Sequence, residues 1–154
     1  MMELFRITQA RYAADMTGEG SRLYGARWNN IGTACIYTAE NRGLSLCEHF
    51  CSSSLAAPIP HLSILTYSIE TEYIFTLQLG DLPSNWREIK HPEETRNLGT
   101  DLIKSNQYAI IKVPSVIMEE EYNCIINIYH PDFKTLKIKY IRPFYLDSRF
   151  RNSP

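Results

Sequence analysis

Seven stretches of the chain alternate apolar and polar side chains or concentrate β-branched and aromatic residues, a pattern that predicts β-strands. They are ELFRIT (3–8), ACIYTA (34–39), HLSILTYSIE (61–70), YIFTLQL (73–79), YAIIKVP (108–114), NCIINIY (123–129) and TLKIKYIRPFYL (135–146). Most are short, and turn residues or a helical pattern separate them. A strand-rich domain follows from this pattern.

Two stretches show helical spacing instead. From Asn41 onward the leucine, cysteine and phenylalanine side chains recur every three or four residues, and Asn41 is a suitable N-cap. Residues 91–106 (HPEETRNLGTDLIKSN) predict a second helix, with Pro92 in its first turn. Glu93 and Glu94 would lie at the positive end of that helix dipole. Together with the strands, these helices predict an α+β fold.

One stretch shows neither the alternation of a strand nor the spacing of a helix. Residues 17–32 (TGEGSRLYGARWNNIG) are dense in glycine and asparagine, which predicts loop along most of their length. No repeat, low-complexity segment or linker divides the chain. We therefore expect one compact domain over residues 1–154, with a core from about residue 4 to 149 and a short polar tail.

Composition narrows the function classes. Hydrophobic residues make up 44% of the 154 residues and charged residues 21%, which is ordinary for a globular protein. With 16 basic and 17 acidic residues the net charge is -1, so we expect no direct contact with nucleic acid. No apolar run approaches the roughly 20 residues that span a bilayer, and no secretory signal is visible. A soluble cytoplasmic protein without a membrane contact is the expectation.

The cysteines favour thiols over a metal site. The chain has four, at positions 35, 47, 51 and 124, without a CxxC pair. Cys47 and Cys51 are four residues apart and could share a helical face, but structural zinc requires four converging ligands. We expect reduced, buried thiols and no metal.

Several familiar chemistries lack their motifs. GEGSRLYG (18–25) has neither the GxGxxG spacing of a dinucleotide fingerprint nor the GK[ST] of a P-loop. HExxH and GxSxG are both absent, which argues against a zincin and a nucleophile elbow. A hydrolase triad assembled from scattered serine, histidine and aspartate stays open.

Three residues between positions 24 and 48 (YGARWNNIGTACIYTAENRGLSLCE) have two interpretations each. Glu48 has leucine and cysteine neighbours on its helix, so its carboxylate either reaches water at the edge of the apolar stripe or is held by a partner. Tyr37 taken alone fits a core aromatic. Arg27 taken alone fits a loop arginine paired with a nearby carboxylate.

A set of motifs runs through the chain in the order FRIT, GEGSRLYGARWNNIG, CIYTAENRGLSLCEHF, LPSNW, TRNLGTDLIKS, VPSVIMEEEYNCIINIYHPDF and RPFYLDSRF. As a set, these motifs resemble the RES domain family, the toxin half of bacterial RES/Xre toxin–antitoxin pairs. The resemblance runs from about Leu4 to Arg149 and places the arginine, glutamate and serine of the family name at Arg27, Glu48 and Ser115. One departure is Ala26, where the family often has a second glycine.

This resemblance implies a fold similar to ADP-ribosyltransferases and diphtheria-type toxins, with NAD as substrate and no cofactor. It implies breakdown of NAD by hydrolysis, or by phosphorolysis with phosphate as co-substrate; transfer of ADP-ribose to a protein is the alternative. It also implies an Xre-type antitoxin as partner, through which any DNA contact would run, and leaves a homo-oligomer within that complex open. A catalytically inactive antitoxin-binding module is the alternative from another class.

The resemblance also suggests roles for the residues. Cleavage of the nicotinamide–ribose bond passes through an oxocarbenium-like state, and Glu48 would stabilise it. Arg27 would pair with the diphosphate through its planar fork, and Tyr37 would stack on the nicotinamide ring.

Five further polar residues have supporting roles in this interpretation. Ser115 would bind the ribose or orient Glu48. Arg6 would add a second phosphate contact, and Asn29 belongs to the NAD-binding set. Asn123 and Asn127 would be structural supports.

Overall fold

The computed structural model describes residues 1–52 and 60–151. The strands are β1 (Met2–Gln9), β2 (Ile36–Ala39), β3 (Leu62–Ile69), β4 (Ile74–Thr76), β5 (Ile110–Pro114), β6 (Tyr122–Ile126) and β7 (Lys137–Phe144). The α-helices are α1 (Glu19–Tyr24), α2 (Arg42–Ser52) and α3 (Glu93–Ser105). Short 3-10 helices cover Ala10–Tyr12, Leu79–Asp81, Pro131–Thr135 and Ser148–Arg151.

The strands form one seven-stranded sheet in the order β4-β5-β6-β2-β1-β3-β7. The β4–β5 pair is parallel, and all other neighbouring strands are antiparallel. β2 lies at the centre between β1 and β6, and α2 follows it after two residues and packs on β1 and β2. The sheet therefore carries α2, and with it Glu48, over its central strands.

The sheet is buried on both faces at β5 and β6. Along β5 and β6, alternate residues enter two different hydrophobic clusters: Ile110 and Ile126 belong to one, Ile111 and Ile125 to the other. The second cluster also contains Trp28 and Trp86. Each of these tryptophans fixes a loop, since a fully buried large apolar side chain contributes about 1.5–3 kcal/mol.

The periodic patterns predicted most elements correctly. Each of the seven predicted stretches overlaps an observed strand, so the α+β fold is confirmed. The N-cap of α2 is also confirmed, because Asn41 Oδ1 accepts the Leu44 N–H at 2.7 Å. Pro92 is the N-cap residue of α3 and precedes its first turn, a shift of one position.

The prediction that residues 17–32 are mostly loop was wrong at α1. Gly18 precedes this helix with φ 67°, and the Thr17 hydroxyl accepts the Glu19 N–H at 3.2 Å. Gly25, at φ 64°, ends it. Two glycines in the left-handed region thus bracket a short helix that the glycine count had hidden.

The cysteine prediction was wrong for α2. Cys35 and Cys124 are buried free thiols, whereas Cys47 and Cys51 are exposed free thiols. Burial raises the pKa of both Cys35 and Cys124 to about 12. Across residues 1–52 and 60–151, no group of three or more His, Cys, Asp and Glu side chains is arranged to hold a metal ion. In the same ranges no helix is long and apolar enough to cross a membrane.

Candidate functional site

A cavity of about 540 Å³ lies where β1, β2 and α2 meet the loop around Arg27 and the segment 87–91. Its arginine, glutamate and histidine lining residues are Arg6, Arg27, Glu48, His49, Arg87 and His91. Three arginines thus face one carboxylate, although the chain as a whole has a net charge of -1. The cavity suits an anionic ligand.

Glu48 is held by two side-chain donors from the ends of β5 and β6. Its Oε1 accepts a hydrogen bond from Ser115 Oγ at 2.7 Å and another from Asn123 Nδ2 at 2.6 Å. Hydrogen bonds to a charged group stabilise by about 1.5–3 kcal/mol each. Of the two interpretations from sequence, the carboxylate held by partners is the one observed.

Ser115 uses its whole hydrogen-bonding capacity in this arrangement. Its hydroxyl donates to Glu48 and accepts the backbone N–H groups of Ile117 at 3.1 Å and Met118 at 3.3 Å. Its side chain is completely buried, outside the cavity lining. This placement supports the orienting role expected for Ser115 and leaves no room for a direct ribose contact.

Arg27 lines the cavity and also ties two loops together. Its Nη1 donates to the carbonyl oxygens of Trp86 and Glu88, both at 2.7 Å. Burial lowers the pKa of this guanidinium, while the charge of Glu48 raises it. It stays cationic at any physiological pH. The structure therefore brings Arg27 and Glu48 to one cavity.

α3 packs against the loop that carries Arg27 and binds it through a hydrogen bond. Gly99 is buried in this helix, and a Cβ there would overlap the carbonyl oxygen of Trp28. Thr100 Oγ1 accepts the N–H of Asn30 at 2.8 Å. A larger residue at Gly99 would push this loop, and with it Arg27, away from its position.

Tyr37 lies in the cavity wall with its hydroxyl turned into the protein. The hydroxyl donates to Asn29 Oδ1 at 2.7 Å and accepts the Trp28 N–H at 3.1 Å. Burial raises the pKa of Tyr37 well above its usual value, so the phenol stays neutral. A fixed aromatic ring at the cavity wall is compatible with stacking.

Asn29 has a different place from the one expected. It is completely buried, and its Nδ2 donates to the carbonyl oxygens of Ser21 at 2.8 Å and Thr33 at 3.0 Å. It lies outside the cavity lining. Asn29 thus orients Tyr37 and shapes the loop, and a direct contact with NAD does not fit its position.

Four cavity residues were missed or misjudged from sequence: Asn123, His49, Arg87 and His91. Asn123 was expected to be a structural support, but it binds Glu48 directly. Arg87 forms an ion pair with Glu119 across the rim. His49 directly follows Glu48 in the sequence, and this adjacency could have predicted that His49 lines the same cavity.

Two further polar residues were assigned roles from sequence. Arg6 lines the cavity from β1, and its phosphate contact stays a prediction. Asn127 is fully buried away from the cavity, and its Nδ2 donates to the carbonyl oxygens of Ile103 and Tyr108 at 3.0 Å each. It serves as a structural support.

The two histidines of the cavity favour their neutral form. Burial lowers the pKa of His49, with Arg6 acting in the same direction and the backbone of Ile7 opposing it. Partial burial also lowers the pKa of His91, and Arg27 and Arg96 act in the same direction, although much of this side chain reaches solvent.

Comparison with known proteins supports one family. The family model of the RES domain matches residues 3–147. A Toxin Res of Yersinia enterocolitica is 34% identical over 135 residues, covering 87% of this chain and 89% of the relative. A Prs ADP-ribosylating toxin of Sphingobium is 32% identical over 143 residues, covering 89% and 87%.

A solved structure shares the fold. The crystal structure of the M. tuberculosis MbcT–MbcA toxin–antitoxin complex contains a chain that matches with a TM-score of 0.76 at 16% identity. The match covers 93% of this chain and 84% of the other. The expected fold is confirmed by it.

Proposed function

This chain belongs to the RES domain family, and from that premise we propose that it is the toxin of a toxin–antitoxin pair that cleaves the nicotinamide–ribose bond of NAD. The observation that carries the proposal is Glu48, a carboxylate held by Ser115 and Asn123 in a cavity whose other charged lining residues are three arginines. Breakdown by water or phosphate and transfer of ADP-ribose to a protein share this first step.

The chemistry requires one carboxylate. When the bond between the ribose carbon and the pyridinium nitrogen breaks, its electron pair leaves with nicotinamide, which becomes neutral. No proton has to be delivered to this leaving group, unlike the oxygen leaving group of a glycoside. The ribose carbon becomes an oxocarbenium ion, and a negative charge beside it lowers the barrier. Glu48 supplies that charge; water, which loses a proton, or phosphate then attacks the ribose carbon.

The arginines fit the other end of NAD. The cavity is within the size range of small-molecule sites, and Arg27, Arg6 and Arg87 all line it. Nη1 of Arg27 is bound to backbone carbonyls, but its Nε and Nη2 still offer three N–H donors. These donors can grip a diphosphate in the bidentate manner that favours arginine over lysine.

Transfer of ADP-ribose to a protein is a second candidate. It is favoured by the 32% identical Sphingobium relative, whose name describes an ADP-ribosylating toxin. An inactive binding module is disfavoured, because the hydrogen bonds around Glu48 preserve a charge that binding to an antitoxin alone would not require.

An antitoxin of the Xre type is the proposed partner. The relatives named Toxin Res and the toxin–antitoxin complex that shares the fold support a protein partner. The proposed partner limits consumption of NAD in the cell that makes the toxin. Co-purification of the chain with its antitoxin, and loss of NAD turnover in the complex, would support this pairing; full turnover in the complex would contradict neutralisation.

The decisive experiment supplies NAD labelled on the adenylate side to the purified chain, with and without phosphate. We expect release of nicotinamide, measured by chromatography. Free ADP-ribose would indicate hydrolysis, a phosphorylated ADP-ribose would indicate phosphorolysis, and label on a protein would indicate transfer. Unchanged NAD under all conditions, including with a bacterial lysate as acceptor, would contradict the proposed function.

A further inference from the structure

Asn123 approaches Glu48 from a rigid strand. It lies in β6, hydrogen-bonded on both sides, opposite Ala39 of β2 and Val113 of β5. Its Nδ2 lies 2.6 Å from Glu48 Oε1, and the same oxygen accepts from Ser115 at 2.7 Å. Asn123 also lines the cavity, whereas Ser115 does not. Two donors from neighbouring strand ends therefore converge on one oxygen atom.

We propose that Asn123 is a positioning residue that, with Ser115, makes the two oxygens of Glu48 unequal. A carboxylate oxygen has two lone-pair sites, and the two donors fill both sites of Oε1. Oε2 accepts no hydrogen bond within the described part of the chain, so it is the working oxygen that meets the ribose. This inference rests on the proposed function, since it assigns the reacting oxygen of that same site.

The amide suits this task for an electrostatic reason. Asn123 donates without carrying a charge, so it holds the Glu48 carboxylate without neutralising it, as a lysine would. It has no proton to lose, so the donor persists at any pH. An aspartate in its place would share a proton with Glu48, because two carboxylates at hydrogen-bond distance do not both ionise easily. A donor to Oε1 would then remain only while the pair holds at least one proton.

The first test is therefore Asn123→Asp, assayed by nicotinamide release from NAD between pH 5 and 9. We expect turnover to fall as pH rises and the pair loses its last proton, a descending limb absent from the unmodified chain. Asn123→Ala should lose about a hundredfold in kcat without that limb, because misplacing the carboxylate affects turnover more than affinity.

Asn41→Asp is the matched control. Asn41 Nδ2 donates to Glu121 Oε2 at 2.9 Å, also an amide-to-carboxylate contact, but outside the cavity lining. Aspartate retains its N-cap function for α2. Its pH profile should follow that of the unmodified chain. If Asn123→Asp runs parallel to the unmodified chain at every pH, or if Asn123→Ala keeps full kcat, the proposal is wrong.

A crystal structure of Asn123→Ala separates this inference from the proposed function. The Glu48 carboxylate should turn so that Oε1 leaves Ser115 or both oxygens reach solvent. If Glu48 keeps its 2.7 Å contact with Ser115 and its orientation, Asn123 does not position it, whether or not NAD is the substrate. A chain that leaves NAD intact, but whose Glu48 turns in this variant, would retain the positioning role and contradict the proposed reaction.

Discussion

The two charged walls of the cavity are built in different ways. The carboxylate wall consists of Glu48 and Asn123, with Ser115 buried behind them, and the two side-chain donors at strand ends hold one oxygen of Glu48. The arginine wall consists of Arg27 and the segment 86–91, and there the charged side chain binds backbone carbonyl oxygens of its own protein. In the carboxylate wall, neighbouring side chains hold the charged group in place. In the arginine wall, the charged group holds neighbouring backbone in place. Changes in the first should thus affect catalysis more than stability, and changes in the second should affect both.

The largest effect is expected in the carboxylate wall. Glu48→Gln keeps the shape of the side chain but removes the charge that stabilises the oxocarbenium ion. We expect turnover of NAD to fall on the order of a hundredfold or more, with little change in melting temperature. Glu120→Gln, an exposed change outside the cavity, is the control for the loss of one charge. Near-normal turnover by Glu48→Gln would remove Glu48 from the mechanism.

In the arginine wall, Arg27→Lys should change both the NAD kinetics and the melting temperature. Lysine at position 27 keeps the charge but loses the planar fork. We expect a higher KM and a lower kcat that together cost about 2–4 kcal/mol of transition-state stabilisation. Because Arg27 also holds Trp86 and Glu88, the melting temperature should fall as well.

Arg22→Lys is the matched control for this change. Arg22 forms an exposed ion pair with Glu19 outside the cavity lining, and water screens the attraction in such pairs. Both measurements should stay near their original values. An Arg27→Lys chain that melts early yet turns over NAD normally would show that the arginine wall is a scaffold and that the diphosphate binds elsewhere.

The sequence could predict contacts between residues that are close along the chain, but not those between distant residues. Strands and the α2 cap follow from local patterns, and the Asn41 cap spans three residues. The Asn123–Glu48 contact joins positions 75 residues apart, which no local pattern encodes. Glu48 and Ser115 were identified through the family motifs. Asn29 was assigned to the NAD-binding set, but its side chain donates to carbonyl oxygens within its own buried loop.

Tyr37 also lines the cavity, and its hydroxyl binds the loop that carries Arg27. Tyr37→Phe keeps the ring but leaves the Asn29 oxygen and the Trp28 N–H without their partner. An unsatisfied buried polar group costs about 1–3 kcal/mol, so unfolding by denaturant should occur earlier. If the ring stacks on nicotinamide, turnover well below the melting temperature should stay within about threefold. A tenfold loss of kcat would instead indicate that the hydroxyl acts on the substrate.

The smallest effect should come from the histidines, one in each part of the cavity. Burial lowers the pKa of His49 beside Glu48, and also that of His91 near Arg27. A histidine with a lowered folded pKa binds fewer protons when folded than when unfolded. Its contribution to stability is therefore complete above the ordinary value of 6.5 and is lost as pH falls below it through the folded pKa. We expect the melting temperature to drop between pH 8 and pH 5.

His49→Gln should reduce this drop more than His91→Gln. His49 is the more buried of the two, and Arg6 opposes its protonation from the neighbouring strand. His91 lies in the segment held by Arg27, where an exposed side chain can move into water when it is protonated. His61→Gln, at the exposed start of β3, is the control. If the melting temperature falls equally in the His49→Gln chain and the unmodified chain, protonation of His49 costs no stability. Its lowered pKa would then have no role in the pH dependence of folding.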